Sequence, residues 1–377
     1  MNLLDAFAKG QEGQNKGLYM GDGLQNVSKA VNGVQKGKLY AVAGASKSGK
    51  STFVDEAFVI QPWLDAVKND IPIEFLYYSF EIDRISKEFD FLVYFMYQDY
   101  GIEYIKLEED VIYTLRGEKQ TIIPISSDYL KGILLDDEGK IIKVKPSIIE
   151  VINTLYQTRI VPLFGEYDKT TGQLVKKGVI KFMTNADNPT GIYKDIVHYA
   201  ETRGEFVKHA INHRLLAYKL KDERLYTIVI LDHIRKCKLE SGFQLKQAVD
   251  KVCQYFVELR NLCNFTFVPI IHTNRSISDM ENVKYAGDEL YPTSDNIKDT
   301  SNIAEDCNYL FTIFNPNEDK YKLKKHFGLN LKDNNNNSIY PNLRTVHLVE
   351  SRHCIYPQHF KLDMLGNVKS FKQLTIK

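Results

Sequence analysis

An α/β fold with a mainly parallel central sheet flanked by helices is predicted by three observations. Short apolar segments suited to buried strands recur at 39–43, 74–79, 226–231, 266–271 and 309–313. Helical patterns separate them, and strands alternating with helices build parallel sheets, because a parallel pair needs a crossover between its strands. The segment YTIVIL at 226–231 is apolar throughout and does not alternate, as expected of a parallel strand covered on both faces.

The first of these strands runs into GASKSGKS, which is Gly44, Ala45, Ser46, Lys47, Ser48, Gly49, Lys50 and Ser51. The pattern is G-x-x-x-x-G-K-[ST], and a helical stretch, STFVDEAFVI, follows through Thr52. Strand, glycine loop and helix in that order make a phosphate-binding loop. The glycines let backbone N–H groups turn inward, and the helix N-terminus adds its dipole. Lys50 is expected to pair with the β- and γ-phosphates of ATP, and Ser51 to hold Mg²⁺. Such a site needs one carboxylate to support the metal and one to polarise the attacking water. Asp232, at the end of YTIVILD, suits the metal; Glu81, just past EFLYYSF, suits the water.

These pieces occur in an order that resembles the RecA-like ATPase domain of DnaB-type hexameric replicative helicases. GLYMGDGLQNVSKAVNGVQKGKLYAVAGASKSGKSTF looks like that family's lead-in to the loop, and FLYYSFEIDR like its strand ending in S-x-E. DNPTGIYKDIVHYAETRG looks like the helix start before the metal-binding acid, and LDHIRK stands where the family has a D-Y-L-like strand end. FVPIIHTNRS resembles the strand ending in Gln or His, and SNIAEDCNYLFTIF the strand after it. HLVESRHCIYPQHFKLDML resembles the final hairpin, where the family reads Lys-x-Arg and reaches the neighbouring subunit's nucleotide.

The resemblance implies that Glu81 is the catalytic glutamate, that His272 senses the γ-phosphate and that Arg352 acts across a subunit boundary. It departs from the family at Glu350-Ser351-Arg352, where glutamate replaces the lysine. It also implies single-stranded DNA as partner, a homo-oligomeric ring, a hexamer, and contact with other replication proteins. DNA would be held by Arg235, Lys236, Lys238 and Lys246 after the acid of 226–232, and by a second loop from Arg275 to about 300. Tyr285 and Tyr291 of that loop could stack on bases or pack internally. The family's helical N-terminal domain is not expected, since about 16 residues precede the lead-in. Residues 1–16 read as a tail or interaction segment and 17–377 as the ATPase domain. An insertion at about 105–180 carries turn signals at 136–140 and 168–172, the latter a hairpin. This compact form suggests a virus-encoded protein.

Bulk properties bound the alternatives. The 377 residues are 44% hydrophobic and 26% charged, with a net charge of +1, so nucleic-acid contact must come from local patches. The five cysteines are widely spaced, without a CxxC pair, and read as buried reduced thiols. No apolar run is long enough for a membrane span, and the N-terminus lacks a signal-peptide pattern, which suggests a cytoplasmic protein without membrane partners. Two other readings share the fold: a filament-forming recombination or annealing ATPase, and a weakly catalytic structural ring subunit. DNNNNS at 333–338 reads as a solvated loop.

Overall fold

The computed structural model describes residues 11, 16–107, 113–115, 118–168, 170–211, 214–274, 277, 286–297 and 302–376. The chain forms two compact units, Met1–Glu81 with Asn185–Met364 and Phe371–Lys377, and Ile82–Thr184 with Leu365–Ser370.

The first unit is built on strands β1 (Tyr40–Gly44), β2 (Ile73–Ser79), β3 (Tyr226–Asp232), β4 (Thr266–His272), β5 (Tyr309–Phe314), β6 (Leu343–Ser351), β7 (Gln358–Leu365) and β8 (Ser370–Gln373). Their spatial order is β8-β7-β6-β5-β1-β4-β3-β2. β1 pairs in parallel with β4 and β5, and β3 in parallel with β4 and β2. β6 returns antiparallel on β5, and β7 on β6. The architecture is therefore α/β with a mainly parallel central sheet, as predicted. Every residue of β1 and β5 is buried, and nearly every residue of β3 and β4. These strands are apolar along their length because both faces are covered.

The helices include α1 (Gln25–Val31), α2 (Lys50–Val54), α3 (Gln61–Lys68), α4 (Pro189–Arg203) and α5 (Leu245–Cys263). A π-helical stretch, Asp55–Ile60, joins α2 to α3. It buries two carboxylates, each satisfied from the sheet. Asp55 accepts from the Tyr77 hydroxyl at 2.7 Å, and Glu56 from the Phe371 amide at 2.6 Å. The helix after the glycine loop is thereby tied to β2 and to β8. α4 begins where Asn188 caps the Gly191 amide at 2.8 Å, and it leads into a ribbon of Gly204–Lys208 paired with Leu215–Leu220.

The second unit contains the helices Arg84–Tyr100 and Pro146–Leu155, with short antiparallel pairs. Glu166–Tyr167 pairs with Leu174–Lys176 around the predicted 168–172 turn, where Asp168 accepts from the Thr170 and Thr171 amides. At 136–140, Asp136 accepts from the Glu138 and Lys140 amides, closing the other predicted turn.

The cysteines are all free, and four of them are buried, but Cys354 is only partly so. It lies in the turn between β6 and β7, which corrects the expectation for that thiol. Among the described residues no helix is long and apolar enough to cross a membrane.

Candidate nucleotide site

Parallel strands carry their C-terminal ends to a common edge, and register decides what meets there. Gly44 stands opposite His272 on β4 and Ile313 on β5, while Asp232 stands opposite Ser79 on β2. The Phe80 amide donates to the Asp232 carbonyl at 2.8 Å, so the chain leaving β2 follows β3 one residue further and delivers Glu81 beside it. Lys50, Glu81, Asp232 and His272, up to 222 positions apart in the sequence (272 − 50), therefore share one edge.

The loop between β1 and α2 has the backbone its glycines allow. Gly49 holds φ +101°, and a Cβ there would lie 2.6 Å from Met364 Sδ. Gly44 has ordinary backbone, but a Cβ would lie 2.7 Å from both the Ile313 carbonyl oxygen and Ser48 Oγ. Lys47 also adopts positive φ, +61°. Ala45, Ser46 and Thr52 line the same turn, with Ser46 exposed and Thr52 and Ser51 partly so.

Two features of this loop suit an anion. Ser48 Oγ is buried and lacks a hydrogen-bond partner among the described residues. Lys50 is 7% exposed, and its Nζ donates to the Ala45 carbonyl at 2.6 Å. Burial pushes the Lys50 ammonium down to about 8, with Asp232 and Glu81 pulling the other way. A bound polyphosphate would raise it again. Affinity for a triphosphate should accordingly be constant up to about pH 8. Above that it should fall by up to about tenfold per pH unit, because the protonated form then has to be made. Titration of a fluorescent ATP analogue between about pH 7.5 and 9.5 measures this, and an unchanged dissociation constant across that range would rule it out.

Asp232 is 3% exposed and joined to His233 by a cis peptide. His272 is partly buried, and burial, with the Lys50 charge next, holds its imidazole down at about 4. At neutral pH it is an uncharged ring with one N–H to donate. Glu81 is at the rim, its side chain 42% exposed. Its Oε1 lies 3.1 Å from His233 Nε2 and 3.8 Å from Lys236 Nζ. His233 is buried and set edge-on to His272, ring centroids 4.5 Å apart at 86°. Sequence reasoning gives His233 no role; its only signal is a histidine in LDHIRK at the second place of D-Y-L.

Arg352 is not part of this cluster. Its amide donates to the Asn308 carbonyl, just before β5, and its guanidinium to the Glu305 carbonyl. Ser351 stands opposite Tyr309, which itself stands opposite Tyr40 at the start of β1. Arg352 is thus a strand's length, about 13 Å, from the edge where β1 delivers the glycine loop. Glu350 lies beside it, opposite Leu310.

Lys236, Lys238 and Lys246 are exposed and Arg235 is partly buried, all between β3 and the first turn of α5. Arg275 and Tyr285 fall outside the described residues. Tyr291 packs internally, stacked on His347 at 4.6 Å between centroids.

No protein-family model and no curated protein matches the sequence. Solved structures do match. A DnaB-like replicative helicase, described with its interactions with primase, superposes with a TM-score of 0.62 at 10% identity. The fold is that of a DnaB-like helicase ATPase domain. The likeness takes in 99% of this chain and 66% of the helicase, so the chain spans about two thirds of that protein. An ATPase domain solved on its own superposes with a TM-score of 0.63 at 9% identity, over 99% of this chain and 97% of that one. At these identities the likeness is one of fold, and the role of each residue rests on its own geometry.

Proposed function

We propose that the chain is an ATP-hydrolysing DNA motor of the DnaB-like kind, moving on single-stranded DNA and unwinding duplex as a homo-oligomeric ring, a hexamer. The observation that carries this reading is the division of the candidate residues between two sheet edges. Lys50, Asp232, Glu81 and His272 converge at one, and Arg352 is exposed at the other.

Within a chain, the loop amides and Lys50 would bind the phosphates, and the buried Ser48 hydroxyl would gain the partner it lacks among the described residues. Ser51 and Asp232 would hold Mg²⁺, which when bound neutralises phosphate charge. Glu81 would take the proton of the attacking water, and neutral His272 would donate to the γ-phosphate and report its presence to the chain beyond β4. Arg352 would complete a neighbour's site. We take 1–16 as an interaction segment and about 105–180 as an insertion within the ATPase domain. The protein would work in the cytoplasm, that of a host if virus-encoded, alongside other replication proteins.

ATP turnover measured with and without single-stranded DNA, together with strand displacement, tests the reading. Strong stimulation with unwinding supports the motor. DNA-stimulated turnover with filaments and no unwinding would replace it with a recombination or annealing ATPase. ATP binding without turnover would replace it with a structural ring subunit.

Exposed lysines that neutralise backbone phosphates release counterions. Alanine at Lys236, Lys238 and Lys246 together is expected to weaken single-strand binding at low salt. It should also flatten the plot of log affinity against log salt by about 0.7 for each phosphate no longer neutralised. An unchanged slope would remove this loop from the DNA path.

A further inference from the structure

We infer that His233 is the positioning residue for Glu81, fixing the carboxylate that the proposed mechanism uses on water and tying it to the backbone of the loop after β3. The inference rests on the reading of Glu81 given above. β3 ends at Asp232, and the chain then makes a short 3₁₀ turn, Ile234–Lys236. The Arg235 amide donates to His233 Nδ1 at 3.3 Å. That nitrogen is therefore the acceptor, and the proton of the neutral ring sits on Nε2. Nε2 points at Glu81 Oε1, 3.1 Å away. A ring N–H donating to a carboxylate makes a charge-assisted bond with a defined direction.

The surroundings make this bond the main hold on Glu81. Among the described residues its other close contact is Lys236, 3.8 Å from the same oxygen and 54% exposed, so solvent screens that pair. A half-exposed glutamate with several rotatable bonds otherwise samples many orientations. His233 does not, because the residue is 5% exposed and its ring is packed perpendicular to that of His272. Since Oε1 takes both of these contacts among the described residues, Oε2 is the oxygen we assign to water. The arrangement also explains why a histidine stands directly after the buried aspartate. The pairing of Asp232 with Ser79 carries both chains out of the sheet side by side, and just beyond it the residue after β3 meets the second residue after β2.

A purely structural histidine and a positioning one differ in what their loss changes. The full chain should be assayed with ATP and single-stranded DNA for kcat, KM and thermal midpoint, in parallel with Glu81→Gln. His233→Phe keeps a ring against His272 and removes the N–H. It is expected to lower kcat by about tenfold or more, with KM within about twofold of the unsubstituted protein. His233→Gln, whose amide N–H can reach Oε1, should recover most of the loss. His233→Asn is smaller, fits the same space and is too short to reach. It should match the phenylalanine variant, and it decides the matter if that variant does not fold. In the Glu81→Gln background the His233 substitutions should have no further effect on kcat.

An unimpaired kcat in His233→Phe or His233→Asn, with Glu81→Gln inactive, overturns the inference and leaves the reading of Glu81 standing. Equal losses in the phenylalanine and glutamine variants, accompanied by a lower thermal midpoint and a raised KM, also overturn it, since packing alone would then account for them. Near-normal turnover in Glu81→Gln takes down both.

Discussion

Lys50→Met is expected to cut ATP turnover by about 10²–10³-fold or more while leaving the thermal midpoint of the nucleotide-free protein unchanged or higher. The two halves of this result have one cause. Lys50 is an ammonium at 7% exposure, held by the Ala45 carbonyl at 2.6 Å and by the field of Asp232 and Glu81. Its pKa is pushed down to about 8 because the charged form is penalised by burial more than the two acids help it. Methionine fills the stem's volume without the charge, so the fold loses little and sheds a desolvated cation. What is lost appears only when phosphate arrives, because the charge that should meet the β- and γ-phosphates is absent. Thermal unfolding with and without ATP separates the effects. The unsubstituted protein should be stabilised by nucleotide, by about 2.7 kcal/mol at a hundredfold excess over Kd, and the methionine variant should not. Normal turnover in Lys50→Met would dispose of the site as described.

The strands themselves and the edge they share were legible in the sequence for a physical reason. Strands covered on both faces must be apolar along their length, as YTIVIL and TFVPII are, and parallel strands must end together. Placing Glu81 just past one strand, Asp232 at the end of another and His272 at the end of a third is therefore enough to predict that they meet near Lys50. Contacts that depend on which strand neighbours which were not legible. His233 became part of the site only through the β2–β3 pairing and the tautomer set by the Arg235 amide. Phe371 closes over the loop helix from 315 positions away, donating to the buried Glu56, and nothing local in GNVKSFKQ announces it. The ribbon after α4 is not legible because Gly204–Lys208 and Leu215–Leu220 mix charged and apolar residues without a clean alternation toward a core. Cys354 departs from expectation because cysteine is usually buried, whereas the turn that carries it is exposed on both sides.

Arg352 gives the other large effect, and its form distinguishes a site built between chains from one built within a chain. Arg352→Ala is expected to lower turnover by about 10³-fold with little loss of ATP binding, as removal of a charge supplied to the transition state does. Register places Arg352 beside Asn308 and Tyr309, at the edge where β1 begins, while the phosphate loop leaves from the edge where β1 ends. An arginine so placed would reach a γ-phosphate only on another copy of the chain. Mixing inactive Arg352→Ala with inactive Lys50→Ala should therefore restore activity. In an equimolar, randomly assembled ring, about a quarter of the boundaries pair an intact Lys50 with an intact Arg352, so recovery should approach a quarter of normal turnover if sites fire independently. A cooperative ring would recover less, yet more than either variant alone. Glu350 sharpens the comparison, since a carboxylate beside the arginine opposes the approach of phosphate. Glu350→Lys, which supplies the cation that DnaB-type helicases carry at this place, should raise turnover in the otherwise unsubstituted ring and leave the Arg352→Ala ring inactive. Mixtures no more active than their parents would place Arg352 outside the nucleotide site altogether.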